Sequence, residues 1–190
     1  MVNSQPIFEL CRSLSAEFAR DPVGPRAAQF LVAYASAHDD WRRFAISDRD
    51  HYTRNLVFRN AQFEMLVLCW SAGQRSPIHN HAGQHCWMAV LDGEMEETLF
   101  RAPSPGSPLA EGRSVRLASR GVAYIDDGIA LHRVAPVGNG GGVSLHVYSR
   151  PIDACNVYDE ATGRIARRQL AYDSIDGRRV EPASNGGPSA

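Results

Sequence analysis

Residues 73–93 read GQRSPIHNHAGQHCWMAVLDG, and the histidine pair in this stretch is the densest chemical signal in the chain. Alternate side chains of a β-strand point to the same face, so His79 and His81 are predicted to converge on one point. A third histidine, His132, follows in GIALHRV, and imidazole binds iron, zinc, copper and nickel. Apolar neighbours leave the ring nitrogens few partners, which favours a metal site. An isolated His-x-His pair also fits two hydrogen-bonded histidines, so the wider sequence must separate these alternatives.

Short β-rich segments extend outward from this stretch, beginning near Tyr52. They are LVFRN, FEMLVLCW, HCWMAVLDGEMEETLF, VRLA, VAYID, HRVAPV and VSLHVYS, separated by turn-rich stretches such as SAGQRSP and GNGGG. Many short strands without intervening helices predict an antiparallel sandwich or barrel. The later segment CNVYDEATGRIARRQLAYD predicts a terminal hairpin, with Gly163 at a turn position of positive φ.

The first 45 residues precede this region and are predicted to be helical. Apolar residues recur there at helical intervals of three and four: Phe8, Cys11, Leu14, Phe18. A break is predicted at residues 21–25, a second helix in RAAQFLVAYASA, and a short third helix over residues 40–44. We therefore expect a single domain with residues 1–45 packed on a barrel of residues 46–178. Residues 179–190, ending in EPASNGGPSA, are expected to form a disordered tail.

The charge and the cysteine content indicate which classes of partner are not expected and which cellular compartment is. The formal net charge is −1 and there is no long basic run, so neither nucleic acid nor an anionic membrane surface is expected. No apolar stretch approaches the roughly 20 residues that span a bilayer, and the N-terminus lacks the apolar core of a signal peptide. The four cysteines have no CxxC spacing, so we expect free thiols in a reducing, cytoplasmic setting rather than disulfides or a zinc ribbon.

The spacing around the histidines resembles the first metal motif of the cupin superfamily. Gly73, His79-x-His81 and Gly93 match it, whereas Cys86 stands where the motif carries a glutamate ligand. The second motif is met in part by Gly121 and His132, with Ile129 and Pro136 in its glycine and asparagine positions. The resemblance implies a mainly β, cupin-type antiparallel barrel of the jelly-roll kind, preceded by helices.

Loss of the carboxylate ligand changes the predicted chemistry. Three neutral imidazoles leave the full dipositive charge on the metal, which favours an anionic substrate ligand such as a thiolate. If Cys86 were instead a fourth ligand, a closed zinc- or cobalt-like site would be favoured.

Several separate blocks resemble the cysteine dioxygenases, the iron enzymes of the thiol dioxygenase group of cupins. They appear in family order over about residues 52–165: YTRNLV (52–57), LCW (68–70), IHNH with HCW (78–87), GEMEETLF (93–100), LHRV (131–134), and SLHVYS with the later DAC (144–155). The resemblance implies Fe(II) as the cofactor, held by His79, His81 and His132.

The remaining site residues are carried over by matching position. The resemblance implies that Arg54 binds the substrate carboxylate and that Tyr148 places its hydroxyl near the iron and substrate, with a possible thioether cross-link from Cys86 to the tyrosine ring. It also implies two supporting sets: a hydrogen-bond chain to the tyrosine from Ser144 and His146, and active-site surroundings lined by Tyr52 and Cys155. Alternation places Ser144, His146 and Tyr148 on one strand face, and arginine matches a carboxylate bidentately.

Each of these residues also has an ordinary structural reading. Taken alone, Arg54 fits a surface ion pair, Tyr148 and His146 fit ordinary strand positions, and Cys86 fits a small core residue. His85 shares the parity of the histidine pair, and we expect it in a supporting or core role. Other residues are expected to pack: Cys69, Cys155, Trp70, Trp87.

One segment departs from the family pattern. The family has Ser-Pro directly after the strand tyrosine, with a cis bond, whereas this chain has Ser149-Arg150-Pro151. A cis bond before a residue other than proline costs about 2.5–4 kcal/mol, so a trans bond is expected at Ser149-Arg150.

These features predict a monomeric thiol dioxygenase that adds both atoms of O2 to the sulfur of L-cysteine to give cysteine sulfinic acid. The nearest alternative is 3-mercaptopropionate dioxygenation, whose enzymes often carry glutamine where Arg54 stands. An alternative of another class is a non-catalytic cupin that senses or stores a metal or thiol.

Overall fold

A computed structural model of the protein describes residues 5–101 and 108–181. In these ranges the helices are α1 Pro6–Arg20, α2 Ala27–Ala37 and a 3-10 helix Asp40–Phe44. The strands are β1 Thr53–Arg59, β2 Phe63–Trp70, β3 Ile78–His79, β4 His85–Phe100, β5 Glu111–Ala118, β6 Val122–Ile125, β7 Leu131–Pro136, β8 Gly142–Ser149, β9 Ala154–Tyr158, β10 Ile165–Gln169, β11 Ser174–Ile175 and β12 Arg178–Arg179. The predicted helices and strands therefore have counterparts in the structure, whereas β11 and β12 were not predicted, and β12 includes Arg179 of the segment expected to be a disordered tail.

Two sheets share the long strand β4. The first half of β4 pairs with β8 and β6 in one sheet, and its second half pairs with β7 and β5 in the other. The first sheet continues through β2 and β1, and the second continues through β3, β9 and β10. All pairs are antiparallel except that of β1 with β11, which is parallel. The prediction of a mainly β, cupin-type barrel with N-terminal helices is confirmed.

A glycine lies where β4 passes from one sheet to the other. The register shifts between Val90 and Asp92, and Gly93 follows with φ of +75°. A Cβ added there would lie 2.8 Å from the carbonyl oxygen of Gly141. Only glycine combines this backbone conformation with this close approach, which explains the glycine that ends the first cupin motif.

The two larger apolar clusters lie one on each face of the first sheet, and a small third cluster contains Ile78, Phe100, Leu109 and Leu131. Outward-facing residues of β2 such as Met65 and Val67 pack against α1 and α2, where Phe18 contacts Phe63 at 5.3 Å between ring centroids. Inward-facing residues such as Leu66 and Leu68 pack inside the barrel. Every residue of β2 is buried, as expected of a strand covered on both faces. The helices thus close one face of the sheet, and the other face lines the barrel interior.

The C-terminal part of the described chain forms the predicted hairpin. β9 and β10 pair in antiparallel register, and Gly163 in the connecting turn has φ of 66°. The bond between Ser149 and Arg150 is trans, and Arg150 has φ of 63°. Residues 182–190 of the predicted tail lie outside the described residues. Within the described residues, no helix is both long enough and apolar enough to cross a membrane.

Candidate metal and active site

Three histidines meet inside the barrel. His79 on β3 and His132 on β7 are directly paired across the two strands, and their Nε2 atoms lie 3.2 Å apart. Within the described residues, one ligand atom from each of His79, His81 and His132 lies within 4.8 Å of the other two, and this is the group able to hold a metal ion. The predicted convergence of the three histidines is therefore present.

A turn, rather than a continued strand, brings His81 to the cluster. β3 ends at His79, so the expected alternation along one strand does not extend to His81. The Asp127 carboxylate accepts hydrogen bonds from the backbone N–H groups of His81 at 2.6 Å and Gly83 at 2.8 Å. Asp127 therefore holds the turn, a role that sequence reasoning missed because Asp127 lies in a distant loop.

Hydrogen bonds to acceptor oxygens show which ring nitrogen carries the proton in two of the three histidines. The carbonyl of Pro77, which can only accept, lies 3.0 Å from Nδ1 of His79. Nδ1 of His132 lies 2.7 Å from Oε1 of Glu97. Both rings therefore carry their proton on Nδ1 and direct the Nε2 lone pair toward the cluster.

The lone pairs of the three rings suit a bound cation. Neither ring nitrogen of the fully buried His81 has a hydrogen-bond partner in the described part of the chain. Burial, and then the neighbouring histidines, hold the pKa values of His81 and His132 well below the ordinary value, and burial also lowers the pKa of His79. Neutral imidazoles with converging lone pairs are ligands suited to Fe(II) and related transition metals.

Glu97 is a buried carboxylate that sequence reasoning missed. It is 6% exposed, and burial raises its pKa to about 7 against the opposing effects of Arg113 and His79. Its position two residues after the fully buried Met95 places both on the inward face of β4. That alternation is the sequence signal that could have identified Glu97.

Cys86 and Tyr148 face each other across β4 and β8. They are register partners and are 1% and 4% exposed. Burial is the main cause of the raised pKa values of both side chains, so both are protonated near neutral pH. Within the described residues, Cys86 is outside the ligand cluster, and the alternative of a fourth cysteine ligand has no support in the geometry.

A chain of buried polar groups runs along β8, as its alternation predicts. Oγ of Ser144 lies 3.0 Å from Nε2 of His146, and Nδ1 of His146 lies 3.4 Å from the Tyr148 hydroxyl. Trp70, expected only to pack, also donates from Nε1 to Ser144 Oγ at 2.9 Å. The Tyr148 ring centroid lies 6.0 Å from that of His81, so the chain ends beside the histidine cluster.

Arg54 reaches the same cavity from β1. Its guanidinium carbon lies 5.9 Å from the centroid of the Tyr148 ring. Its Nε and Nη2 atoms are buried and have no hydrogen-bond partner within the described residues. Tyr52 stacks on Trp70 at 4.3 Å between ring centroids and lines the cavity together with Cys155. A buried guanidinium with two nitrogens free of hydrogen bonds suits an incoming carboxylate.

Glu64 is a second carboxylate that sequence reasoning missed. It is fully buried on β2, with Oε1 3.7 Å from Nη2 of Arg54 and Oε2 3.4 Å from Nη1 of Arg59. The Tyr172 hydroxyl also donates to it at 2.5 Å. A glutamate within the otherwise apolar segment FEMLVLCW was the available signal.

His85, expected in a supporting or core role, lies outside the histidine cluster. It is partly exposed, and its Nδ1 lies 2.7 Å from the Tyr124 hydroxyl.

Comparisons with known proteins agree with this site. The family described as Cysteine dioxygenase type I matches residues 2–161. The curated Cysteine dioxygenase type 1 of Homo sapiens is 36% identical over 190 residues, covering 98% of this chain and 95% of that protein. The Rattus norvegicus protein of the same name is 37% identical over the same shares. A solved structure from Klebsiella pneumoniae, an uncharacterized conserved protein with a double-stranded beta-helix domain, is 15% identical, with a TM-score of 0.48 over 70% of this chain and 98% of that one.

The family match spans most of the chain, the curated relatives cover nearly all of it, and the three histidines form a group able to hold a metal ion. The chain therefore belongs to the cysteine dioxygenase type I family.

Proposed function

We propose that this protein is a cysteine dioxygenase, which converts L-cysteine and O2 to cysteine sulfinic acid at a three-histidine Fe(II) site. The observation that carries this proposal is one cavity lined both by the histidine cluster and by Arg54, whose Nε and Nη2 have no hydrogen-bond partner within the described residues. A cation site and an anion site side by side suit a small molecule bearing a thiol and a carboxylate. Family membership supports the same substrate.

His79, His81 and His132 would hold the iron through ring nitrogens. A bound Fe(II) would supply the charge that lowers the pKa of a substrate thiol and the redox chemistry by which O2 oxidises sulfur. The reaction balances without a further reductant, because sulfur loses four electrons and O2 gains four as both oxygen atoms bond to sulfur.

Arg54 would bind the substrate carboxylate. Each charge-assisted hydrogen bond contributes about 1.5–3 kcal/mol, so a bidentate pair selects substrates that carry this group. Its burial removes competing water, and a bidentate contact would fix the orientation of the bound substrate.

Tyr148 would orient the substrate from beside Arg54, whose guanidinium carbon lies 5.9 Å from the centroid of the Tyr148 ring. Burial keeps its phenol protonated, so the hydroxyl can donate a hydrogen bond to an anionic group. Ser144 and His146 would hold the direction of that hydroxyl through the polar chain along β8. Tyr52 and Cys155 would shape the cavity wall.

We also infer a monomer in the cytoplasm. All four cysteines lie within the described residues, and all are buried free thiols, which suits a reducing compartment. Size-exclusion chromatography with light scattering tests the monomer.

The direct test is a single turnover with defined substrates. Protein loaded anaerobically with Fe(II) is mixed with cysteine and then with ¹⁸O2, and the product is identified by mass spectrometry. We expect cysteine sulfinate carrying two ¹⁸O atoms. If neither oxygen uptake nor sulfinate is seen, the protein is better explained as a sensor of a metal or a thiol. If 3-mercaptopropionate is turned over faster than cysteine, 3-mercaptopropionate is the preferred substrate.

Arg54→Ala tests the carboxylate site. We expect a KM for cysteine raised by about tenfold or more, since about 1.4 kcal/mol corresponds to tenfold and each lost bond is worth at least that. Arg116→Ala is the matched control, because Arg116 is exposed on β5 and pairs with Glu96 at 3.1 Å. An unchanged KM in Arg54→Ala would remove Arg54 from the scheme.

A further inference from the structure

Glu97 is buried against the histidine cluster, and the reaction proposed above gives it no role. Its Oε1 lies 2.7 Å from Nδ1 of His132, and the two side chains are 9% and 2% exposed. A carboxylate shielded from water at this distance forms a strong hydrogen bond and brings its charge close to the ring.

The strand register aims Glu97 at this ring. β4 and β7 pair Leu99 with His132, and Glu97 lies two residues before Leu99 on the same face of β4. Glu97 is therefore the diagonal neighbour of His132 across the two strands, within reach of a long side chain.

The three histidines are not equivalent. Nδ1 of His79 donates to the neutral carbonyl of Pro77 at 3.0 Å, and the ring nitrogens of His81 have no partner within the described residues. The Asp127 carboxylate lies 3.9 Å from Nδ1 of His81, beyond hydrogen-bond distance. Within the described residues, His132 is therefore the ring of the three with a carboxylate hydrogen-bonded to it. Any effect of that charge therefore reaches the site through one ligand.

We propose that Glu97 is a positioning residue that fixes His132 with Nε2 toward the metal and restores, through that imidazole, the negative charge that Cys86 removes from the ligand set. The inference rests on the proposed iron function. A carboxylate behind a histidine ligand raises the basicity of the ligand and fixes the orientation of its ring. Its charge stabilises Fe(III) more than Fe(II), because the interaction grows with the charge on the ion.

Two substitutions separate orientation from charge. In Glu97→Gln the amide oxygen can still accept from Nδ1 of His132, but the charge is lost. In Glu97→Ala both the acceptor and the charge are lost. Glu96→Gln is the control, since Glu96 is a neighbour on β4 that pairs with the exposed Arg116 at 3.1 Å.

The measurements are Fe(II) affinity by anaerobic competition with a chelator and the Fe(III)/Fe(II) midpoint potential by redox titration. We expect Glu97→Ala to bind Fe(II) about 10–100-fold more weakly. Glu97→Gln should lose less affinity, and its midpoint potential should shift to more positive values. Glu96→Gln should match the unchanged protein in both measurements.

Unchanged affinity and potential in the Glu97 variants would overturn the inference. If Glu97→Ala does not fold, the potential of the near-isosteric Glu97→Gln decides alone. These readouts do not depend on turnover, so a protein that binds iron and makes no sulfinate would refute the proposed function while leaving the role of Glu97 measurable.

Discussion

The guanidinium of Arg54 lies 3.7 Å from the carboxylate of Glu64, and the two side chains are 10% and 0% exposed. The contact is too long to be a hydrogen bond, and the Nε and Nη2 atoms of Arg54 have no other partner within the described residues. Glu64, in contrast, also contacts Arg59, Tyr172 and the backbone of Ile152. The two residues therefore differ in their hydrogen bonding. Arg54 keeps donors that can bind a ligand, whereas Glu64 is already bound by neighbouring residues of the fold.

Replacing Arg54 by methionine should barely affect stability. An unsatisfied buried donor costs about 1–3 kcal/mol, so an apolar side chain of similar length should leave the free energy of unfolding unchanged or higher. Urea unfolding measures this, and cysteine kinetics should show the loss of affinity described above. A large loss of stability in Arg54→Met would mean that the arginine is structural.

Replacing Glu64 by glutamine should have the opposite effect. Arg54 and Arg59 lose their shared counter-charge, and we expect the free energy of unfolding to fall by about 1–3 kcal/mol. Glu111→Gln, at an exposed position of β5, is the control, with an expected change within about 0.5 kcal/mol. Equal unfolding curves for the two variants would contradict this role of Glu64.

Cys86 and Tyr148 should become covalently linked during turnover. They are register partners on β4 and β8, and a bond from Sγ to a ring carbon removes the thiol hydrogen and one ring hydrogen, with O2 as the oxidant. Intact-mass spectrometry after exposure to iron, cysteine and O2 should show the loss of two hydrogens. Cys86→Ser should abolish this loss and Cys11→Ser should retain it. If the unsubstituted protein keeps its full calculated mass after many turnovers, Cys86 and Tyr148 do not become linked.

Ser144→Ala should destabilise the barrel interior. Ser144 bonds to both Trp70 and His146, and removing its hydroxyl leaves two buried polar groups unpaired at a cost of about 1–3 kcal/mol. Ser114→Ala is matched to it, since Ser114 bonds to Thr98 at 2.9 Å on the exposed face, and there we expect a change within about 0.5 kcal/mol. If Ser144→Ala and Ser114→Ala lose the same amount of stability in thermal or urea unfolding, the polar chain along β8 adds no stability.

His51 should make stability depend on pH. Its Nε2 lies 2.8 Å from Asp173, and this hydrogen bond, against a smaller opposing effect of burial, raises the pKa of His51 above its ordinary value. A raised folded-state pKa stabilises the protein below the unfolded value near 6.5, and the benefit disappears as pH rises through the folded value. The contact is half exposed, so the effect should be small and reduced by salt.

The measurement for His51 is the difference in unfolding free energy between the protein and His51→Asn at several pH values. The variant should be less stable at pH values below the unfolded pKa, and the difference should close under alkaline conditions. A difference that is constant with pH would show that the charge of His51 makes no contribution.

Alternation along strands predicted the parts of the site that lie on one strand. Ser144, His146 and Tyr148 share a face because β8 is regular, and their hydrogen bonds follow from that regularity. The same rule does not account for His81, which lies beyond the end of β3. Its position depends on Asp127, a residue 46 positions away in the sequence, and no local pattern encodes that contact.

The supporting carboxylates were missed for a different reason. Glu97 lies in GEMEETLF with two other glutamates. Its alternation with Met95 is visible in the sequence, but only the sheet register shows that this face of β4 turns inward. Glu64 sits in an apolar strand, but its partners come from β1 and from the C-terminal segment. Which residues pair with a side chain so far away in the sequence is decided by the tertiary structure, and local helix or strand propensity does not predict it.

The position of β4 in both sheets also governs when the chain can fold on the ribosome. β4 pairs only with strands that follow it in the sequence, namely β5, β6, β7 and β8. During synthesis the second half of β4 can pair with β5 first. Its largely apolar first half stays unpaired until β6 emerges, and it pairs on both edges only once β8 has emerged. His79 likewise meets its partner only after β7 is made. Metal capture is thus a late event of biogenesis, and the nascent chain is most exposed to aggregation in the interval between β4 and β8.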